Sequence, residues 1–360
     1  MRKSQVFLLA LLAFLLLIID QYSLKLLKLE KWTRLNPRTK YVLYWTEMFH
    51  QADFNLGFGR KIFENCSVNN CFATNNRSVM SVEDFDAILF HGVEFSPLFH
   101  GVPTKRSPHQ VYVYSNQEAP TNSPKLTVPK NFFNWTMTYR SDSDVIRPYG
   151  FFEASTTDYY PPSMGEIKNK RKKIAWLVSN CIASSLREDL YRKISKFVQV
   201  DVYGACGNLT CSKKDADGCY KFLEKHYKFY LSFENSLCKD YVTEKLFNIL
   251  KYNLVPIVYG DADYEVIAPP HSVINVLEYK SIKELAKHIR KLDEDAAEYL
   301  RYFEWKKTYA VSTSNKLSLC QLCEKLNEPV AQKVYSDVDE WWRTPKICKT
   351  GNSLPKISPN

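Results

Sequence analysis

Apolar positions change their period twice along residues 227–260. Residues 229–233 form a short aromatic and apolar run that ends in the polar Glu234, Asn235 and Ser236. After a polar bend, Leu246, Phe247, Leu250 and Tyr252 fall at helical spacing within 242–252, and 254–259 is a second apolar run closed by Gly260. Strand, helix, strand in that order is the βαβ unit of a parallel sheet. Such sheets bind ligands beyond the carboxyl ends of their strands. Glu234, Asn235, Ser236, Lys239, Asp240, Tyr241, Glu244 and Lys245 all gather at that edge, where a site is expected.

The pattern extends in both directions. Residues 41–45, 85–90, 111–114 and about 135–139 read as strands of a first module, separated by polar and helical stretches. Tyr159, Tyr160, Pro161 and Pro162, followed by the basic run 168–173 (KNKRKK), read as a linker. That run has the look of a nuclear localisation signal, but it directly precedes a strand and is read as solvated. A second module opens with the strand 174–178, which ends at Ser179 and Asn180. Ser184 or Ser185 can cap a helix carrying Leu186, Leu190, Ile194 and Phe197. Residues 200–203 form the next strand, and 282–292 a later helix. The pattern predicts an α/β protein of two parallel-sheet domains facing a crevice, at 41–160 and 168–345, with a tail over 346–360.

The start of the chain has a different character. Arg2 and Lys3 precede fourteen unbroken apolar residues, 6–19. The run is short for a membrane span, and a signal-peptide core is its rival. No small-x-small cleavage site follows, and Leu24, Leu26, Leu27 and Leu29 prolong the apolar character. The expectation is a cytoplasmic tail over 1–5, an uncleaved signal-anchor transmembrane helix over 6–24 and a short stem over 25–40. Lys25, Lys28 and Lys31 weaken the charge asymmetry that would fix its orientation. The sequons at Asn65, Asn76, Asn134 and Asn208 are candidate glycosylation sites. With ten cysteines, they point to an oxidising lumen. A single-pass type II protein of the Golgi cisterna membrane is expected.

Composition narrows the chemistry further. A net charge of +10 suits a polyanion, a membrane surface or a phosphorylated small molecule. The basic residues are scattered and no nucleic-acid motif accompanies them, so nucleic acid is not an expected partner. Cys320 and Cys323 form a CxxC without a second CxxC or a His pair, which favours disulfides over zinc. The pairs Asp142/Asp144, Asp215/Asp217, Asp261/Asp263 and Asp337/Asp339 invite a metal reading, but short acidic triplets arise easily by chance among 39 acidic residues.

FENS at 233–236 and DYVTEK at 240–245 resemble the donor-binding signature of the α1,3-fucosyltransferases, glycosyltransferase family 10. SNCIASSLR (179–187) and YGACG (203–207) are similar to loops of invertebrate and plant members. The resemblance covers roughly 41–345. It implies the GT-B architecture, two Rossmann-like domains of which the first binds acceptor and the second GDP-fucose. It also implies transfer of L-fucose, with inversion and no obligatory metal or cofactor, to a GlcNAc-containing glycan on glycoprotein or glycolipid.

Transfer of this kind needs a base for the acceptor hydroxyl and positive charge for the departing diphosphate. Glu118, in SNQEAP just past the strand 111–114, lies at the carboxyl edge of its sheet and matches the family's base, with Glu94 and Glu153 as the alternatives. Arg187 and Lys245 match the diphosphate ligands, and a guanidinium fork suits paired phosphate oxygens. By resemblance Glu244 bonds the ribose or the fucose, Asn235 and Tyr241 line the donor pocket, and Tyr203 flanks the guanine. Tyr139 and Arg140, in YRSDSDVIRPYG, are placed near the meeting point of the substrates. Cys66 and Cys71 match the amino-terminal pair that the family cross-links to the CxxC at Cys320 and Cys323. A transferase using another sugar nucleotide and a non-catalytic glycan-binding protein remain as alternatives.

Overall fold

Strands whose every side chain is buried need cover on both faces, and a parallel sheet between helices supplies it. In the computed structural model, which describes residues 19–21, 38–212, 215–329 and 333–351, two such sheets form. The first comprises β1 (Lys40–Tyr44), β2 (Cys71–Thr74), β3 (Ala87–His91), β4 (Val111–Asn116), β5 (Trp135–Thr138) and β6 (Val145–Ile146), in the order β2-β1-β3-β4-β5-β6 and all parallel. The chain then runs through β7 (Phe151–Ala154) into the second sheet, built from β8 (Lys172–Leu177), β9 (Val200–Tyr203), β10 (Tyr227–Phe233), β12 (Val255–Tyr259) and β13 (Ile274–Asn275). Its order is β13-β12-β10-β8-β9, again all parallel.

The helices that position the site are α1 (Arg187–Ile194), α2 (Ala216–His226), α3 (Glu244–Leu250), α4 (Ile282–Glu294), α5 (Lys316–Asn327) and α6 (Val338–Arg343). In α4, Ile282, Leu285, Ala286, Ile289 and Leu292 form one buried stripe against the second sheet, and the Ser281 hydroxyl caps the helix by accepting from the Glu284 amide. The cap expected at α1 is absent. Leu186 takes the cap position in left-handed backbone at φ 55°. The Ser184 and Ser185 hydroxyls donate instead to the Asn235 and Glu234 carbonyls, at 3.2 and 2.8 Å.

The last part of the chain returns to the first sheet. Leu319, Leu322 and Leu326 of α5 pack on Val42, Tyr44 and Leu89, and disulfides join Cys66 to Cys320 and Cys71 to Cys323. Trp342 of α6, fully buried, lies edge-on to Tyr114 and Tyr139 at centroid distances of 5.8 and 5.5 Å. β14 (Tyr309–Ser312) pairs antiparallel with β7, so the modules exchange material at both crossings.

The basic run 168–173 is solvated at Lys168, Asn169, Arg171 and Lys172, as expected, but it is not a linker. It finishes a short helix and begins β8, and Lys170 is buried with its ammonium donating to the Tyr227 and Asn253 carbonyls and, closely, to that of Glu224. Burial pushes this ammonium down to about 8.

Of the sequons, Asn65, Asn76 and Asn208 are exposed. The Asn134 carboxamide is engaged in the fold: Oδ1 accepts from the Tyr112 amide at 2.9 Å and from Arg106, and Nδ2 donates to the Lys333 carbonyl at 3.0 Å. Peptide mass spectrometry of the folded protein is expected to find Asn134 unmodified. Asn134→Gln should lower the thermal midpoint without changing glycan mass.

The expected signal-anchor and stem lie outside the described residues except for 19–21 and 38–40. Among the described residues no helix is long and apolar enough to cross a membrane.

Candidate active site

The carboxyl edges of the two sheets meet, and the contacts between them come from the loops that the sequence singles out. Glu118 follows β4. Its amide donates to Asn116 Oδ1 at 2.9 Å, closing a tight turn that directs the half-buried carboxylate across the crevice. There Glu118 Oε1 accepts from the Tyr241 hydroxyl at 2.7 Å and from Asn122 Nδ2 at 3.3 Å. Beside it the Thr121 and Ser236 hydroxyls lie 2.6 Å apart, and Ser141 donates to Asp240 from both its amide and its hydroxyl.

The donor-edge loop of β10 is organised around a buried carboxylate. Glu234, 1 % exposed, accepts from the Thr243 amide and hydroxyl and lies 3.3 Å from Lys245 Nζ. Burial, with Glu244 nearby, raises the Glu234 carboxyl above its usual range, while Lys245 and the Thr243 donors oppose that rise. Burial lowers the Lys245 ammonium, but Glu234 and Glu244 outweigh it and hold this group above its ordinary value. Lys245 therefore stays cationic at the mouth of the loop, bonded also to Thr243 and to the exposed Glu244. A role for Glu234 was legible only as its place at the strand end.

The other expected residues divide into two groups. Asn235 sits in the same loop, and its buried Oδ1 has no hydrogen-bond partner among the described residues. The Tyr139 ring packs tilted against that of Tyr241, with centroids 5.0 Å apart, and its buried hydroxyl is likewise without one. Arg140 belongs to the first module's frame, with its guanidinium on Asp142 and 3.9 Å from the Trp341 ring centroid. Arg187 is at the edge but turned inward. Its guanidinium donates to the Phe233 and Asn180 carbonyls at 3.0 and 2.8 Å and to Glu188, tying two donor-edge loops together.

Tyr203 does not flank the crevice. Its ring is buried with Leu223 of α2, and its hydroxyl meets that of Tyr227 at 2.8 Å. A tyrosine ending a parallel strand can lie back along the sheet, and here the apolar cover of α2 decides that it does.

The tail supplies a part that the pattern did not reveal. β15 (Cys348–Lys349) pairs with β11 (Leu237–Cys238), a disulfide joins Cys238 to Cys348, and Lys349 bonds Asp261 at 2.7 Å. The Gly351 amide reaches the Ser184 carbonyl at 3.3 Å. Residues 348–351 thus strap three of the donor-edge loops, those after β8, β10 and β12.

On the first module, Tyr44, Trp45, Glu47, His50, Arg77, Glu94 and His100 line a cleft of about 470 Å³ at the ends of β1, β2 and β3. The four Asp-x-Asp pairs are embedded in other bonds: Asp142 with Arg140, Asp144 with Lys333, Asp217 with Lys221, Asp261 with Lys349 and Asp339 with Arg343, while Asp215, Asp263 and Asp337 cap helices. Among the described residues no three His, Cys, Asp or Glu side chains form a cluster suited to a metal ion.

Two family models match the chain: "Fucosyltransferase, N-terminal" over residues 37–150 and "Glycosyltransferase family 10 (fucosyltransferase) C-term" over 167–341. The chain is 37 % identical over 333 residues to Alpha-(1,3)-fucosyltransferase C of Drosophila melanogaster, covering 84 % of this chain and 78 % of that one. It belongs to glycosyltransferase family 10, the fucosyltransferases. This fucosyltransferase is also 39 % identical to Glycoprotein 3-alpha-L-fucosyltransferase A of Drosophila melanogaster, over 82 % of its own length and 59 % of the relative's. Its fold is that of a solved α1,3-fucosyltransferase with GDP-fucose, at TM-score 0.52 and 18 % identity over 82 % of this chain and 92 % of that one.

Proposed function

We propose that the protein is an inverting α1,3-fucosyltransferase that moves L-fucose from GDP-β-L-fucose to a hydroxyl of a GlcNAc-containing glycan, on a GT-B framework. The observation that carries this reading is the approach of Glu118, from the first module, to within hydrogen-bond distance of the donor signature, at Tyr241. A carboxylate so placed can take the proton of an acceptor hydroxyl. The hydroxyl oxygen then attacks the anomeric carbon from the face opposite the diphosphate, so a β-linked donor yields an α-linked product.

Charge grows on the diphosphate as the sugar leaves, and Lys245 meets it. Arg187 acts indirectly, fixing the two loops that frame the site. Asn235 Oδ1, buried without a partner, is an acceptor that a hydroxyl of the donor satisfies. The cleft at the ends of β1, β2 and β3 is the acceptor side. Its aromatic rings and carboxylates are the groups that bind sugar faces and hydroxyls. Membrane attachment through residues 6–24 and residence in the Golgi belong to the same proposal. Support comes from the apolar run, the exposed sequons and the pairing of all ten cysteines into disulfides.

A soluble form beginning near residue 40, given GDP-fucose and a panel of N-glycan core-type and LacNAc-type acceptors, is expected to add one fucose mass to a GlcNAc-containing member. Product mass spectrometry reads the result. GDP binding without transfer to any acceptor would favour a binding protein, and no GDP binding would remove the reading altogether.

A further inference from the structure

Tyr241 belongs to the donor signature, yet its ring is not at the surface of a donor pocket. It is 1 % exposed and packs within the first module's aromatic core, 5.0 Å from Tyr139 and 6.3 Å from Tyr149 between ring centroids. Its backbone is fixed as well: its amide donates to the Cys238 carbonyl, and the preceding Asp240 is held in left-handed backbone (φ 62°) by two bonds from Ser141. Cys238 is in turn tied to Cys348. All this fixes one hydroxyl, which lies 2.7 Å from Glu118 Oε1.

We propose that Tyr241 is a positioning residue for the base: it holds the Glu118 carboxylate in register with the donor loop rather than binding GDP-fucose. The inference rests on the reading of Glu118 as the base. Burial, then Tyr149, Glu118 and Glu234, keep the Tyr241 phenol far above its ordinary value, so it remains a proton donor throughout the working range. The titratable and charged groups that face this pair are Tyr139, Arg140 and Tyr149 from the first module, Glu234, Asp240 and Glu244 from the donor loop, and His91, which is bonded to Glu94 beneath Glu118. Glu118's other side-chain donors are Asn122 and the Ala119 amide, both from its own loop. Among the described residues Tyr241 is thus the one direct donor to this carboxylate from the opposite module, while Asn122 links it there at one remove through Ser236.

The arrangement also relates binding to chemistry. The loop that carries Asn235 and leads into Lys245 is the one that carries Tyr241, so a donor that orders this loop also orders the base. A hydrogen bond to a charged group is worth about 10- to 100-fold.

Tyr241→Phe keeps the ring and removes the hydroxyl. We expect kcat to fall about 10- to 100-fold, with the KM for GDP-fucose and the affinity for GDP unchanged and the protein still fully folded at the assay temperature. A loss of GDP affinity matching the loss of rate would make Tyr241 a donor ligand and overturn the proposal. An unchanged kcat would also overturn it. A melting shift that accounts for the lost activity would reduce the residue to packing. Glu118→Gln, measured alongside, separates the two layers: an active Glu118→Gln enzyme refutes the base itself, whereas an inactive one beside a fully active Tyr241→Phe enzyme refutes only the positioning.

Discussion

Glu118→Gln lowers fucosyl transfer by about 10²- to 10⁴-fold while GDP binding and the thermal midpoint stay at their original values. Glutamine has the shape of glutamate, and its oxygen still accepts from Tyr241 and Asn122, so the turn after β4 and the contact across the crevice persist. What disappears is the capacity to take a proton. Initial rates at saturating GDP-fucose measure the first quantity, and titration with GDP the second. A thermal midpoint that falls in step with activity would show that the carboxylate holds the modules together rather than reacting.

Lys245→Ala has two effects that can be separated. The first is catalytic: without a cation at the leaving group, transfer is expected to drop about 10²- to 10³-fold, the scale of removing one group that meets developing charge. The second is structural, because Glu234 loses the cation that compensates its burial. A carboxyl held above its unfolded value binds its proton more tightly in the folded state, so stability falls as pH rises through that interval. Lys245 opposes this rise, and the variant should therefore melt markedly lower at pH 8 than at pH 5, by more than the parent does. Glu234→Gln/Lys245→Ala removes the buried charge and should recover the thermal midpoint but not the transfer. Recovery of both would confine Lys245 to a structural role.

Where one face or period dominates, the sequence carried the fold. The run 229–233 and the helix 242–252 reappear as β10 and α3 with small shifts at the ends, because a short unbroken buried run and a helical burial stripe leave little choice of element. The strands expected at 41–45, 85–90 and 111–114 are present as β1, β3 and β4. The βαβ rule pointed to the edge where Glu118, Tyr241 and Lys245 gather, and family resemblance supplied the pairing of Cys66 and Cys71 with the CxxC. Properties set by direction were not legible. Nothing local distinguishes a Tyr203 that points out from one that lies under α2, or an Arg187 facing solvent from one bonded to two strand-end carbonyls. Tyr241 and Glu118 are 123 residues apart, and only the meeting of the two modules makes them neighbours. The return of α5 to the first sheet has the same origin: its amphipathic face gives no address.

That return sets the order in which the molecule can be completed. Cys66 and Cys71 are made early, but their partners lie 254 and 252 residues further along. At about 5–20 residues per second of synthesis, both thiols wait roughly 13 to 50 seconds, only five positions apart and free to pair with each other. Throughout that interval the apolar face that α5 will cover has no partner in the nascent chain. The module made first is therefore the module finished last, and its maturation depends on whatever guards exposed thiols and apolar strands until the end of the chain arrives.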